Sequence, residues 1–121
     1  HDLNEAIRIG NQITILKDGE VIQSGSSQDI ILKPADSYVA DFTKDINRGK
    51  MIQVGSIVEL GTVGDGPEID KHESIEAALQ IINLERKTEA IVTDQNKHIG
   101  KVNLDTIIRA HGKNFDPLSE R

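Results

Sequence analysis

Between Ser74 and Gly112, two apolar stripes of helical period enclose two short β-rich runs, and this switching of period restricts the folds open to the chain more than any other feature. Ile75, Ala78, Leu79 and Ile82 stand at offsets 0, 3, 4 and 7, one face of a helix, and Ser74 is placed to cap its free N–H groups. Leu104, Ile107, Ile108 and His111 repeat the spacing, and Gly112 follows as a stop. Between them, residues 89–93 and 98–102 read as strands joined by a turn over Asp94-Gln95-Asn96-Lys97. The order is helix, strand, turn, strand, helix. Aromatic residues are nearly absent (Tyr38, Phe42 and Phe115), so Ile, Leu, Val and Ala must build the core. That favours layered packing of helices on a sheet, an α+β class, over an aromatic-rich binding surface.

The first half is organised differently. Residues 2–8 suit a short helix, with Asp2 as cap, Leu3 and Ile7 four apart on one face, and Gly10 as its end. Residues 12–17 are β-rich, Asp18-Gly19 is a two-residue hairpin signal, and residues 20–24 return as the partner strand. Ser26 or Ser27 can cap a helix over residues 28–32, which Pro34 stops. Asp36 caps another, on which Tyr38 and Phe42 are one turn apart. Apolar periodicity lapses over Asn47-Arg48-Gly49-Lys50, which reads as a linker between a unit of residues 1–46 and one of residues 51–121. Residues 51–60 look strand-like or short-helical, and residues 61–67, with three glycines and a proline, read as a loop.

Composition narrows the function. The net charge of -6 in 121 residues disfavours nonspecific attraction to phosphate backbones, and the lack of aromatic stacking platforms disfavours single-strand binding, so no nucleic acid is expected as a partner. The absence of cysteine removes disulfides and thiolate metal sites. No apolar run approaches the ~20 residues that span a bilayer, and the first residues lack a signal peptide's charged and apolar regions.

Three stretches carry a resemblance. His1-Asp2-Leu3-Asn4-Glu5-Ala6, then Ile13-Thr14-Ile15-Leu16-Lys17-Asp18-Gly19-Glu20, then Gly25-Ser26-Ser27-Gln28-Asp29-Ile30 resemble the segment after the catalytic core of ATP-binding cassette (ABC) ATPases. The resemblance implies that residues 1–46 are a helix–hairpin–helix remnant of such a domain and that His1 is its switch histidine, which in the family contacts the γ-phosphate. It also implies ATP and Mg in a longer parent protein. The sequence contains no phosphate loop of the form G-x-x-x-x-G-K-[ST], so the chain by itself is expected to be inactive.

A second resemblance lies in residues 51–111, where Gly100-Lys101-Val102-Asn103-Leu104-Asp105-Thr106-Ile107-Ile108 and the order of elements are similar to a cystathionine β-synthase (CBS) domain. This implies one βαββα copy of a module that works in pairs, with Asn103 and Thr106 at the positions that hold a ribose or hydroxyl group. Adenine nucleotide or cyclic di-AMP is the implied ligand class. Thr106 stands where the family has aspartate and Ala90 where it has proline. A neutral hydroxyl cannot match a carboxylate's charge-assisted grip on a diol.

Together with Tyr38-Val39-Ala40-Asp41-Phe42, the two halves resemble the ATP-binding subunit of glycine betaine, proline, carnitine or choline importers. That implies a permease subunit as partner, a place on the cytoplasmic side of the membrane, a homodimer, and contact with an anionic membrane surface. The alternative is a stand-alone CBS nucleotide-binding or dimerisation module. Arg86, Lys87, Lys97, His98 and Lys101 are the candidate basic patch, against the reading of an ordinary charged face. His72, His98 and His111 are spaced as solvated histidines, and no metal site is expected. In an orphaned ATPase tail, Ile13, Ile15, Val21, Tyr38 and Phe42 are expected to lie exposed and seek a partner.

Overall fold

The computed structural model describes residues 5–112. The chain divides into two compact units, His1–Asn47 and Arg48–Arg121.

The first unit is a three-stranded antiparallel sheet with two short helices. Strand β1 (Glu5–Ile9) pairs with β2 (Gln12–Lys17), which pairs with β3 (Glu20–Ser26). Asp18 and Gly19 take the left-handed φ values of 54° and 82° that a tight turn between right-twisted strands requires. Helix α1 (Ser27–Leu32) starts in a capping box: the Ser26 hydroxyl accepts from Asp29 N–H at 3.1 Å, and Asp29 Oδ2 accepts from Ser26 N–H at 3.2 Å. Helix α2 (Ser37–Phe42) is capped by Asp36, whose carboxylate accepts from Val39 N–H at 3.0 Å.

Two expectations change here. Residues 5–9 form β1, whereas the helical reading covered residues 2–8; Asp2 and Leu3 lie outside the described residues. A helix of two turns is marginal by itself. The strand instead gains a ladder in which Ala6 and Arg8 face Ile15 and Ile13, closed by Gly10 at φ 60°. The exposed apolar set also shrinks. Ile15 is buried with Ile30 and Val39, while Ile13, Ile22 and Tyr38 pack against them. Val21 and Phe42 remain 61% and 42% exposed.

The second unit opens with α3 (Arg48–Met51), so Arg48, Gly49 and Lys50 are helical and Gly49 is buried. A single 3-10 turn (Val54–Ser56) leads to β4 (Glu59–Leu60), and after the loop come β5 (Glu68–Asp70), α4 (Ile75–Leu84), β6 (Glu89–Asp94), β7 (Lys97–Asn103) and α5 (Leu104–His111). The sheet order is β4-β7-β6-β5, with β5 parallel to β6 and the other pairs antiparallel. A parallel neighbour needs a crossover, which α4 supplies.

Ser74 caps α4 as its sequence suggests, accepting from Ala77 N–H at 3.0 Å. Ladder partners share a face, and Ala90 with Val102 and Val92 with Gly100 are all buried. Ile75, Ala78, Ile82 and Ile107 of the helices are buried too, α4 packing on β6 and α5 on β7. Each isoleucine so buried contributes about 1.5–3 kcal/mol relative to exposure. The opposite face carries the row Glu68, Ile91, Lys101 and Glu59 across all four strands.

Candidate functional site

The junction of β7 and α5 brings together the two residues to which the CBS-domain resemblance points. Asn103 is the last residue of β7 and the N-cap of α5, and its Oδ1 accepts from Thr106 N–H at 2.8 Å. The next amide, that of Leu104, donates to Thr88 O at 2.8 Å. Asn103 therefore has a structural task, satisfying one of the helix's free donors. Its side-chain amide N–H groups and the half-buried Thr106 hydroxyl are the groups this turn can offer a ligand. Asp105, in the same turn, is bound to Arg109 at 2.9 Å.

Sequence reasoning missed the neighbour on the ladder. Glu89 is the β6 partner of Asn103, and its half-buried carboxylate accepts from Asp65 N–H at 2.6 Å. Lys101 Nζ lies 3.8 Å from the other carboxylate oxygen. The loop of residues 61–67 is tied down again by Thr62, whose hydroxyl donates to Glu59 O at 2.5 Å and accepts from Lys101 N–H at 3.1 Å. The loop thus closes on Glu89 of β6 and Lys101 of β7, the two inner strands. Only the glycine count of that loop hinted at close backbone approach, and a Cβ at Gly66 would collide with Glu89 O.

The candidate basic patch is interleaved with acids. Lys87 lies 3.7 Å from Asp65, Lys101 beside Glu89, and His98 Nε2 3.1 Å from Glu68. The exposed pairs, Lys87 with Asp65 and His98 with Glu68, are worth little individually, but all three acids break up a uniform cationic face. His72 pairs with Asp70 at 3.1 Å, and the backbone N–H of His72, donated to Asp70 at 2.9 Å, holds that carboxyl below its ordinary pKa. His111 is half-buried in the last turn of α5. Among the described residues no group of three His, Cys, Asp or Glu side chains is arranged to hold a metal. His1 lies outside the described residues.

A cleft of about 390 Å³ opens between α4 and α5, lined by Leu79, Ile82, Leu104 and Ile108 with Gln80, Asn83 and Lys87. Leu84, on the last turn of α4, is 81% exposed. Among the described residues no helix is long and apolar enough to cross a membrane.

No protein-family model matches the chain. It is 33% identical over 110 residues to a trimethylamine N-oxide transport system ATP-binding protein of Pelagibacter ubique, covering 89% of this chain and 32% of that protein. It is 32% identical over 96 residues to a glycine betaine/carnitine transport ATP-binding protein of Listeria monocytogenes, covering 76% and 24%. It is 32% identical over 115 residues to a glycine betaine/proline betaine transport system ATP-binding protein of Salmonella typhimurium, covering 88% and 27%. The chain thus spans about a third or less of the length of the relatives it matches.

Proposed function

We propose, for a chain homologous over most of its length to ATP-binding proteins of glycine betaine, carnitine and trimethylamine N-oxide transport systems, that it is the C-terminal regulatory part of an osmoprotectant importer's ATPase subunit. The first unit is the end of the ATPase domain, and the second is a single CBS-type domain. The observation that carries this is the span of the alignments: at 110 and 115 residues they are longer than either unit, so both units are shared with one relative at once. A stand-alone module with an accidental extension would match over the second unit alone.

In the parent, hydrolysis of ATP with Mg drives uptake of the osmolyte through a transmembrane permease subunit, which holds the ATPase at the cytoplasmic face of the membrane. The chain described here, without a phosphate loop, supplies no hydrolysis of its own. Its second unit senses ionic strength, or an adenine nucleotide or cyclic di-AMP at the turn formed by Asn103 and Thr106. A coupling of ~1–3 kcal/mol is enough to alter the ATPase cycle. Calorimetric titration of the chain with cyclic di-AMP, AMP and ATP, at low and at high salt, tests this. A saturable heat with one of the three is expected. No heat with any of them, together with an oligomeric state indifferent to salt, would overturn the sensing role.

One observation favours a second role, self-association. The apolar cleft between α4 and α5 is suited to a second copy of the domain, and Leu84, on the last turn of α4, is a large apolar side chain left exposed. Sedimentation is expected to show a homodimer whose population falls on Leu84→Asp. A monomer at every concentration reached would remove dimerisation from the proposal.

A further inference from the structure

Arg48 opens the second unit and is the first residue of α3. Its Nε donates to the carbonyl oxygen of Ala110 at 2.9 Å, a bond between residues 62 positions apart. Ala110 belongs to the last turn of α5, where backbone carbonyls lack intrahelical donors and carry the negative end of the helix dipole. A Cβ built on Gly112 would meet Arg48 Cδ and Nε at 3.3 Å, so the arginine stem runs along the chain just past the helix. The side chain is half-buried, and that burial lowers its pKa.

The other end of α3 is fastened as well. Ile52, fully buried, donates its N–H to Arg48 O at 2.9 Å, and its own carbonyl accepts from Ile75 N–H, the first residue of α4, at 2.9 Å. The short helix therefore ties the C-terminal end of α5 to the N-terminal end of α4. The far end of α5 is the Asn103–Thr106 turn, about 12 Å away along a two-turn helix. A helix this short moves as one body. Displacing the Ala110 carbonyl by about 1 Å takes the bond out of hydrogen-bonding range, so α3 must follow or let go.

We infer that α3 is a strap that transmits the position of α5, and with it the state of the Asn103–Thr106 turn, to the chain entering from Asn47, with Arg48 as the positioning residue. The identity of the signal rests on the sensing role proposed above; the mechanical link does not.

The experiment is amide hydrogen exchange on the whole chain, read at the Ile52 N–H and compared with the β6 amides, which report global opening. Asn103→Ala loosens the first turn of α5 without any ligand. It is expected to speed exchange at Ile52 about fivefold more than at β6, the loss of one cap transmitted along the helix. In an Arg48→Met background the excess is expected to vanish, and in Arg48→Lys, which keeps a donor, part of it returns. An equal excess in the Arg48→Met background overturns the strap. If Arg48→Met fails to fold by circular dichroism, Arg48→Lys decides, an undiminished excess there counting against Arg48.

A cyclic di-AMP arm separates the two proposals. Protection in the first turn of α5 that does not reach Ile52 would leave sensing intact and sink the strap. If cyclic di-AMP changes nothing, that ligand is excluded as the signal while the Asn103→Ala comparison still decides the strap.

Discussion

Replacing Ile82 by alanine is expected to destabilise the second unit by about 2–5 kcal/mol, the range for truncating a large aliphatic side chain in a packed core. Ile82 is 1% exposed and lies in the stripe with Ile75 and Ala78 that α4 turns toward the sheet. It also lines the cleft to α5, so the vacated volume joins an existing opening instead of collapsing. Denaturant unfolding, with exchange at the β6 amides to isolate this unit, gives the value. Val63→Ala, in the loop before β5 and 92% exposed, serves as the comparison. A cost below about 1 kcal/mol at Ile82, the scale of surface substitutions, would mean that α4 is not seated as described.

Gly100→Ala is expected to detach β4 from the sheet. A Cβ at Gly100 would run into the carbonyl oxygen of Glu59 and stand 2.9 Å from both the Glu59 carbonyl carbon and Val58 Cγ2. Two of those three atoms are backbone and cannot rotate away, so the strands must part. Overpacking of this kind costs typically about 1–3 kcal/mol, and β4, paired over only two residues, has little to resist with. The reporter is the Gly61 N–H, which donates to Ile99 O at 2.9 Å just beyond β4. Its exchange protection is expected to fall by tenfold or more, about 1.4 kcal/mol. Unchanged protection would refute the close approach.

The helices and strands with a strong local signature were legible beforehand. Ser26, Asp36 and Ser74 announce their helices because each side chain needs only an amide two or three residues ahead. The 0, 3, 4, 7 stripes of α4 and α5 needed no tertiary knowledge either. What escaped depends on distant partners. β1 is decided by its ladder with Ile13 and Ile15, against a local pattern that favours a helix. β5 is three residues long, too short to alternate, and exists because Glu68, Ile69 and Asp70 pair with Ile91, Val92 and Thr93 beyond an intervening helix. Polar composition makes Asn47-Arg48-Gly49-Lys50 look like a tether, while the bond from Arg48 to Ala110 is invisible to any local window.

At the candidate site the resemblance to a CBS domain pointed to Asn103 and Thr106, and the fold joins them through the Thr106 N–H, which donates to Asn103 Oδ1. The sequence could not supply Glu89, whose contact with Asp65 closes a gap of 24 residues. Nor could it show that Asp65, Glu68 and Glu89, from other segments, interleave with the candidate basic patch, which the sequence weighed against an ordinary charged face.

The strand order separates the two units in how their chains must close. In the first unit every paired strand is the next one along the chain, joined by turns of a few residues, so its sheet can zip up from either hairpin as soon as those residues exist. In the second, β5 finds β6 only after α4 has been traversed, and β4 must wait for β7, some forty residues later. A polypeptide emerging from the ribosome therefore completes the first sheet early, while the apolar stripe of α4 keeps an open side until β6 and α5 are made.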